Sequence, residues 1–290
     1  MDANARIEAA LESAMDLATG SGSPPGLADA MRYAVFPGGH RIRPRLCFAV
    51  AAAHGKAHDE LVDTALASLE FLHCASLVHD DMPCFDDAPM RRGKPSVHAA
   101  FGEPLALMCG DALIVLAFQV LARSAAVAPG RSAQLLAIVS DAVGAPNGIV
   151  AGQAWECEPA VPLEDYQRAK TGVLFRAACL AGAAASGAHD DAWGLLGEVI
   201  GSAYQIADDL MDCVGDPELI GKPVGQDDRL DRPSAVRELG VKGASRLLRD
   251  NIAAAVEAVP DCPGKAGLRR MIEKEAERLL SSALSARRAA

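Results

Sequence analysis

Between Glu60 and Asp81 the positions Val62, Leu66, Leu69, His73, Ser76 and Asp80 recur at steps of four and three, which is the spacing of one face of an α-helix. A period kept over so many turns commits this stretch to helix. It also places His73 and Asp80 on the same side. The helix runs into Asp80-Asp81-Met82-Pro83-Cys84-Phe85-Asp86-Asp87. Pro83 cannot continue it without losing a hydrogen bond, so the residues between Asp81 and Asp86 are expected to form an irregular turn that carries the last carboxylate back.

The remainder of the chain carries the same preference. Only 4% of its 290 residues are aromatic, and Ala and Leu dominate, so helix formers outnumber the residues that strands favour. An all-α fold follows. Breaks at Gly20-Ser21-Gly22-Ser23-Pro24-Pro25-Gly26, Pro37-Gly38-Gly39, Ala128-Pro129-Gly130, Ser186-Gly187 and Pro260-Asp261-Cys262-Pro263-Gly264 cut it into helical lengths. With no long linker and no repeat, residues 1–290 are expected to form one domain. A second acidic cluster, Asp208-Asp209-Leu210-Met211-Asp212, ends a helix predicted from about Leu195. Asp208 and Asp209 lie four and three residues before Asp212, so all three fit adjacent turns.

A net charge of −10 leaves no basic stripe for nucleic acid. It repels anionic substrates at long range, so local Arg and Lys must capture them. The eight cysteines form no C-x-x-C pair, and most sit within apolar helical patterns, which fits a reducing cytoplasm better than a disulfide framework. The N-terminal residues, Met1 to Gly20, carry acids and an amphipathic pattern and do not read as a signal peptide. The apolar run Ala112–Ala122 is too short to span a bilayer and contains Gln119, so no transmembrane segment is expected and the protein reads as soluble.

Carboxylates packed as closely as those after Asp80 repel one another, and hard divalent cations are what make such a set tolerable. Mg²⁺ takes a few carboxylates together with substrate phosphate oxygens. Two such sets point to a trinuclear-type metal site holding a diphosphate. Near them stand Gly38-Gly39-His40-Arg41-Ile42-Arg43-Pro44, where flexible backbone meets two guanidiniums suited to phosphate, and Arg91-Arg92-Gly93-Lys94. Lys170-Thr171-Gly172, Tyr204-Gln205 and Lys222 precede, adjoin or follow the second cluster. Singly, each has a plain reading: solvated charges at a helix start, a surface salt-bridge network, a core histidine at His73, packing tryptophans at Trp155 and Trp193. Their coincidence with both aspartate clusters favours a site.

The ordered set Gly38-Gly39-x-Arg41-x-Arg43-Pro44, Glu70-x-x-His73-x-x-Ser76-Leu77-x-His79-Asp80-Asp81-x-x-x-x-Asp86, Arg91-Arg92-Gly93, Gly110-Asp111, Gly152-Gln153, Lys170-Thr171-Gly172 and Gln205-x-x-Asp208-Asp209-x-x-Asp212 resembles the trans-isoprenyl diphosphate synthases. The likeness runs from about Met31 to Val236. The wording of Cys74–Asp81 and Ala151–Glu156 is most similar to bacterial geranylgeranyl diphosphate synthases of carotenoid pathways.

The resemblance implies an isoprenoid-synthase helical bundle around a central cavity, a cytoplasmic homodimer, and three Mg²⁺ ions per active site. Asp80, Asp86, Asp208 and Asp212 would hold metal directly or through water, supported by Asp81 and Asp209. Arg91, Lys170 and Lys222 would bind the allylic diphosphate; Arg43, Arg92 and His73 would bind isopentenyl diphosphate. Thr171 and Gln205 would face the developing carbocation, and Ala75 and Ser76, small residues just before Asp80, would leave room for a long product. Two positions depart from the family: His40 and Arg232 stand where many relatives carry Lys. The implied reaction is head-to-tail addition of isopentenyl diphosphate to dimethylallyl, geranyl and farnesyl diphosphates, with geranylgeranyl diphosphate as product and farnesyl diphosphate as the alternative. A terpene cyclase needs no second basic site, and a non-catalytic subunit of a heteromeric synthase tends to lose its acidic motifs. This sequence has both.

Overall fold

The computed structural model describes residues 2–36, 39–56, 59–159, 166, 168–214 and 234–289. These are almost wholly helical, as the composition predicts; the only sheet among them pairs β1 (Met90–Arg91) with β2 (Lys94–Pro95). The helices are α1 (Ala3–Thr19), α2 (Pro25–Val35), α3 (Ile42–Ala53), α4 (Glu60–Asp80), α5 (Val97–Phe101), α6 (Glu103–Ser124), α7 (Pro129–Val143), α8 (Ile149–Ala154), α9 (Val173–Ala185), α10 (Ala192–Val214), α11 (Ala235–Glu257) and α12 (Lys265–Ala289). A 3₁₀ turn, Trp155–Cys157, follows α8, and a π turn, Arg168–Gly172, precedes α9. The ends obey local chemistry. Pro25 and Pro129 open α2 and α7, where a missing N–H costs nothing. The Asp59 carboxylate accepts the Leu61 N–H at 2.9 Å to start α4.

Backbone contacts divide the chain into two compact units. The first comprises Met1–Ser140 and Leu180–His189. Its centre is α4, which packs along α6 and also takes α1 and α3. Ile7, Leu11, Met15, Leu66, Leu69, Phe71 and Leu113 are fully buried there, and each such side chain contributes roughly 1.5–3 kcal/mol of burial free energy. Close approach of α4 and α6 depends on Gly110, because a Cβ at that position would lie 2.0 Å from the His79 ring.

The second unit comprises Asp141–Cys179 and Asp190–Ala290. Here α10 packs on α11, α12 and the π turn. Ile206, Ala207 and Leu210 meet Ala244 and Leu248 in its core. On another face, Gly197 and Gly201 admit the neighbouring backbone: a Cβ at Gly197 would come within 2.5 Å of the Arg176 Cα, and one at Gly201 within 2.9 Å of the Gly172 Cα. That contact sets the height of the π turn against α10.

Two expectations change. The apolar run ending at Ala122 belongs to the 22-residue α6, which continues back through Asp111 to Glu103. By length and composition both α4 and α6 could cross a membrane, so shortness is not what distinguishes α6. Its packing along α4, α2 and α5 is. The eight cysteines are all free, but only Cys47, Cys74, Cys109 and Cys179 are buried. Half of them, not most, act as core residues.

Candidate functional site

At the end of α4 the chain folds back as Pro83 requires. The Asp86 N–H donates to the Asp80 carbonyl at 3.0 Å and the Asp87 N–H to the Met82 carbonyl at 3.1 Å, with Asp87 in the left-handed region at φ 47°. Asp80 and Asp86 thereby present carboxylate oxygens within 4.8 Å of each other, both half-buried. Asp81 points the other way. It is 2% exposed and accepts the Arg91 guanidinium through Nε at 2.9 Å and through Nη2. Burial pushes the Asp81 carboxyl up, Arg91 opposes this, and the charges of Asp80 and Asp86 add to the rise. Asp81 and Arg91 therefore form the base on which the half-buried pair of acids stands.

Beside it lies a basic group. Gly39 has no side chain because the Arg92 guanidinium occupies that space: a Cβ would sit 3.0 Å from Arg92 Nε. His40 is exposed, and Arg43 and Arg92 are half-buried. His73, two turns from Asp80 on the same face of α4, is held well below its ordinary pKa by burial and then by the charges of Arg43, Arg92, Arg91 and Arg41. It is neutral at pH 7, with one nitrogen to donate and one to accept.

By residue type both guanidiniums of the basic motif suit phosphate, and the resemblance assigns only Arg43 to a diphosphate; Arg41 is committed inside the protein. It is 6% exposed and donates to Glu70 at 2.7 Å, to Glu8 at 2.8 and 3.1 Å, and to the Val35 carbonyl at 2.9 Å. Burial works against its charge, but Glu8 and Glu70 more than compensate and raise its pKa. The signal was Glu70, an acid inside Leu69-Glu70-Phe71-Leu72 that needs a cation once buried.

In the second unit, Lys170 and Thr171 sit in the π turn, a wide helical turn that recurs at functional sites. The Thr171 hydroxyl donates to Gln205 Oε1 at 2.6 Å, Gln205 Nε2 donates to Asp209 at 2.7 Å, and the Ala235 N–H at the start of α11 donates to the other Asp209 oxygen at 2.7 Å. Burial raises the Asp209 carboxyl, these donors oppose it, and Asp208 and Asp212 add to the rise. Asp209 is thus an anchor. Asp208 is exposed and Asp212 is 7% exposed.

Lys170 is paired with Glu156, which also accepts the Tyr166 hydroxyl at 2.5 Å. Sequence reasoning gave neither Glu156 nor Tyr166 a role. Gly152 was the available clue, since a Cβ there would lie 2.5 Å from the Lys170 backbone nitrogen and so marks a close passage of α8 past the π turn. Ala75 is 1% exposed, and the Ser76 hydroxyl donates to the His73 carbonyl at 2.8 Å. Lys222 and Arg232 lie outside the described residues.

The polyprenyl synthetase family model matches residues 24–264. The chain belongs to the polyprenyl synthetase family. Two relatives within reach of it are the geranylgeranyl diphosphate synthase of Cereibacter sphaeroides, 51% identical over 97% of this chain and 98% of its own length, and that of Rhodobacter capsulatus, 48% identical over 99% and 100%. Among solved structures, a geranyltransferase from Helicobacter pylori complexed with magnesium and isoprenyl diphosphate is 27% identical, with a TM-score of 0.77 over 97% of this chain and 98% of that one. The family and the helical fold are those the ordered motifs predict.

Proposed function

We propose that this chain is a Mg²⁺-dependent prenyltransferase that joins isopentenyl diphosphate head-to-tail to dimethylallyl, geranyl and farnesyl diphosphates and releases geranylgeranyl diphosphate. The observation that carries this reading is the pair Asp80 and Asp86, oxygens within 4.8 Å, standing on the buried Asp81–Arg91 ion pair beside the Arg92 and Gly39 contact. Near-identical length and about half identity to two geranylgeranyl diphosphate synthases support the product. The magnesium in the Helicobacter pylori complex supports the metal.

The donor set fits a hard cation. Oxygen-only groups, two of them close and a third whose carboxyl is pushed up by burial first and by the neighbouring acids after it, are a set that Mg²⁺ would stabilise. In this reading Asp80, Asp86, Asp208 and Asp212 would hold three Mg²⁺ ions, supported by Asp81, which Arg91 holds, and by Asp209, which Gln205 and the Ala235 N–H hold. The chemistry such ions would supply there is compensation of the charge on a departing diphosphate.

The chain's own residues supply the other steps. Arg91, Lys170 and Lys222 bind the allylic diphosphate, and the acids that already hold Arg91 and Lys170 fix where those cations stand. His40, Arg43, His73, Arg92 and Arg232 bind isopentenyl diphosphate. Heterolysis of the allylic C–O bond leaves a cation. Thr171 spends its proton on Gln205, so the lone pairs of its oxygen are left for that positive charge. The isopentenyl double bond attacks, apolar walls keep water out, and the departed diphosphate takes the proton. The molecule acts as a soluble cytoplasmic homodimer of single-domain chains, with the exposed Leu107, Met108 and Val115 of α6 at the contact.

Asp80→Ala and Asp208→Ala should each lower steady-state turnover by on the order of a hundredfold or more, since each removes charge compensation for the leaving group. Near-native rates in either variant, or full activity in EDTA, overturn the metal assignment.

A further inference from the structure

The hairpin that carries Arg91 and Arg92 has strands of only two residues each, and a ribbon that short is not stable alone. Arg92 and Gly93 at its tip both adopt positive φ, 53° and 74°, a conformation that glycine takes freely and arginine does not. Packing beneath it is incomplete, because a cavity of about 30 Å³, bordered by Cys74, Leu77, Val78, Arg91, Arg92 and Lys94, has room for a water molecule. Something other than apolar burial must hold the hairpin in place. On the β1 side that tie is the Arg91–Asp81 ion pair.

On the β2 side it is Lys94. Its ammonium donates to the Tyr33 carbonyl at 2.7 Å and the Phe36 carbonyl at 3.3 Å, at the C-terminal end of α2, and lies 3.8 Å from the Tyr33 ring centroid. Tyr33 returns the contact by donating its hydroxyl to the Pro95 carbonyl at 2.8 Å, while its ring meets Phe101 edge-on at 5.2 Å. Phe36 precedes the glycine loop, and that loop's Gly39 is the residue against which Arg92 rests. Lys94 thus joins the hairpin bearing Arg92 to the start of the loop bearing Gly39 and His40, which leads into α3 and Arg43. Burial and the charge of Arg92 both hold its pKa below the ordinary lysine value, so its hydrogen bonds are made against an electrostatic cost.

We infer that Lys94 is a positioning residue for isopentenyl diphosphate binding, acting through Arg92, which it holds against Gly39, without touching the substrate. This rests on the assignment of Arg92 to the isopentenyl diphosphate site. Lys94→Met keeps the volume of the side chain and removes the hydrogen bonds and charge. It should raise the KM for isopentenyl diphosphate about tenfold, since small misplacements of binding groups have effects of this size or larger, with the allylic KM and kcat within about twofold. In an Arg92→Ala background the same change should add nothing further.

Steady-state kinetics of Lys94→Met, Arg92→Ala and the double variant decide the matter. A raised isopentenyl KM in Arg92→Ala with an unchanged one in Lys94→Met overturns the role of Lys94 alone. Additive effects in the double variant, or equal rises in both substrates' KM for Lys94→Met, also overturn it. An unchanged isopentenyl KM in Arg92→Ala overturns the site assignment and this role with it.

Discussion

At position 40 the glycine loop exposes an imidazole. A histidine titrates near pH 6.5 and loses its charge through the range in which a lysine keeps it. His40→Lys is therefore expected to lower the KM for isopentenyl diphosphate, most visibly above about pH 7.5, and to leave the allylic KM in place. An isopentenyl KM unchanged by the substitution across roughly pH 6.5 to 8.5 would show that residue 40 does not reach that diphosphate. Individual residues in this region were unevenly legible. Arg41 and Arg43 are two apart in one basic motif, and charge and spacing give them the same description; only the burial of Glu70 and Glu8's approach separate an interior ion pair from a surface cation. Asp81 and Asp209 each stand next to a more exposed acid. What the sequence did not disclose was the partner that holds each one, because Arg91 follows Asp81 by ten residues and Ala235 follows Asp209 by twenty-six.

Among the elements, α4 carries the most function. Ala75 and Ser76 precede Asp80 by five and four residues, which at about 1.5 Å per residue is roughly 6 to 8 Å along the axis. One turn deeper stand Phe71 and Leu72, both buried. In this reading the small pair leaves the prenyl tail room to lengthen, and the deeper pair stops it at twenty carbons. Ala75 is already buried, so a ring placed there must displace something, at roughly 1 to 3 kcal/mol of overpacking. Ala75→Tyr is expected to shift the products toward farnesyl diphosphate, measured by chromatography of the dephosphorylated alcohols; an unchanged profile would reject this account of chain length. The face of α4 could be read from its period because burial imposes 3.6 residues per turn. The π turn at Arg168–Gly172 could not, since a single widened turn leaves no periodic trace, and only Gly152, Gly197 and Gly201 hint that backbones pass closely around it.

For the whole molecule, composition was enough for the helical class, but apolarity does not rank the helices by burial. The more apolar helix is α6, with a mean hydropathy of 2.2 against 1.4 for α4, yet 72% of the apolar window of α4 is buried and 44% of that of α6. Apolar surface left over on α6 is what a second copy would cover. Val115→Arg, at a position 55% exposed in the chain, should convert a wild-type dimer to monomer in sedimentation velocity; a monomeric wild-type protein, or an unaltered dimer in the variant, would place the contact elsewhere. The two compact units interleave along the sequence, two of their three boundaries falling inside α7 and α9 and the third in the short turn before α10, which explains why no linker marked them. The central claim is the reaction and its product. Purified protein incubated with Mg²⁺, isopentenyl diphosphate and, in turn, dimethylallyl, geranyl or farnesyl diphosphate should yield geranylgeraniol as the main alcohol after phosphatase treatment, whichever starter is supplied. Farnesol as the end product from the shorter starters, or no elongation from any of them, would contradict it.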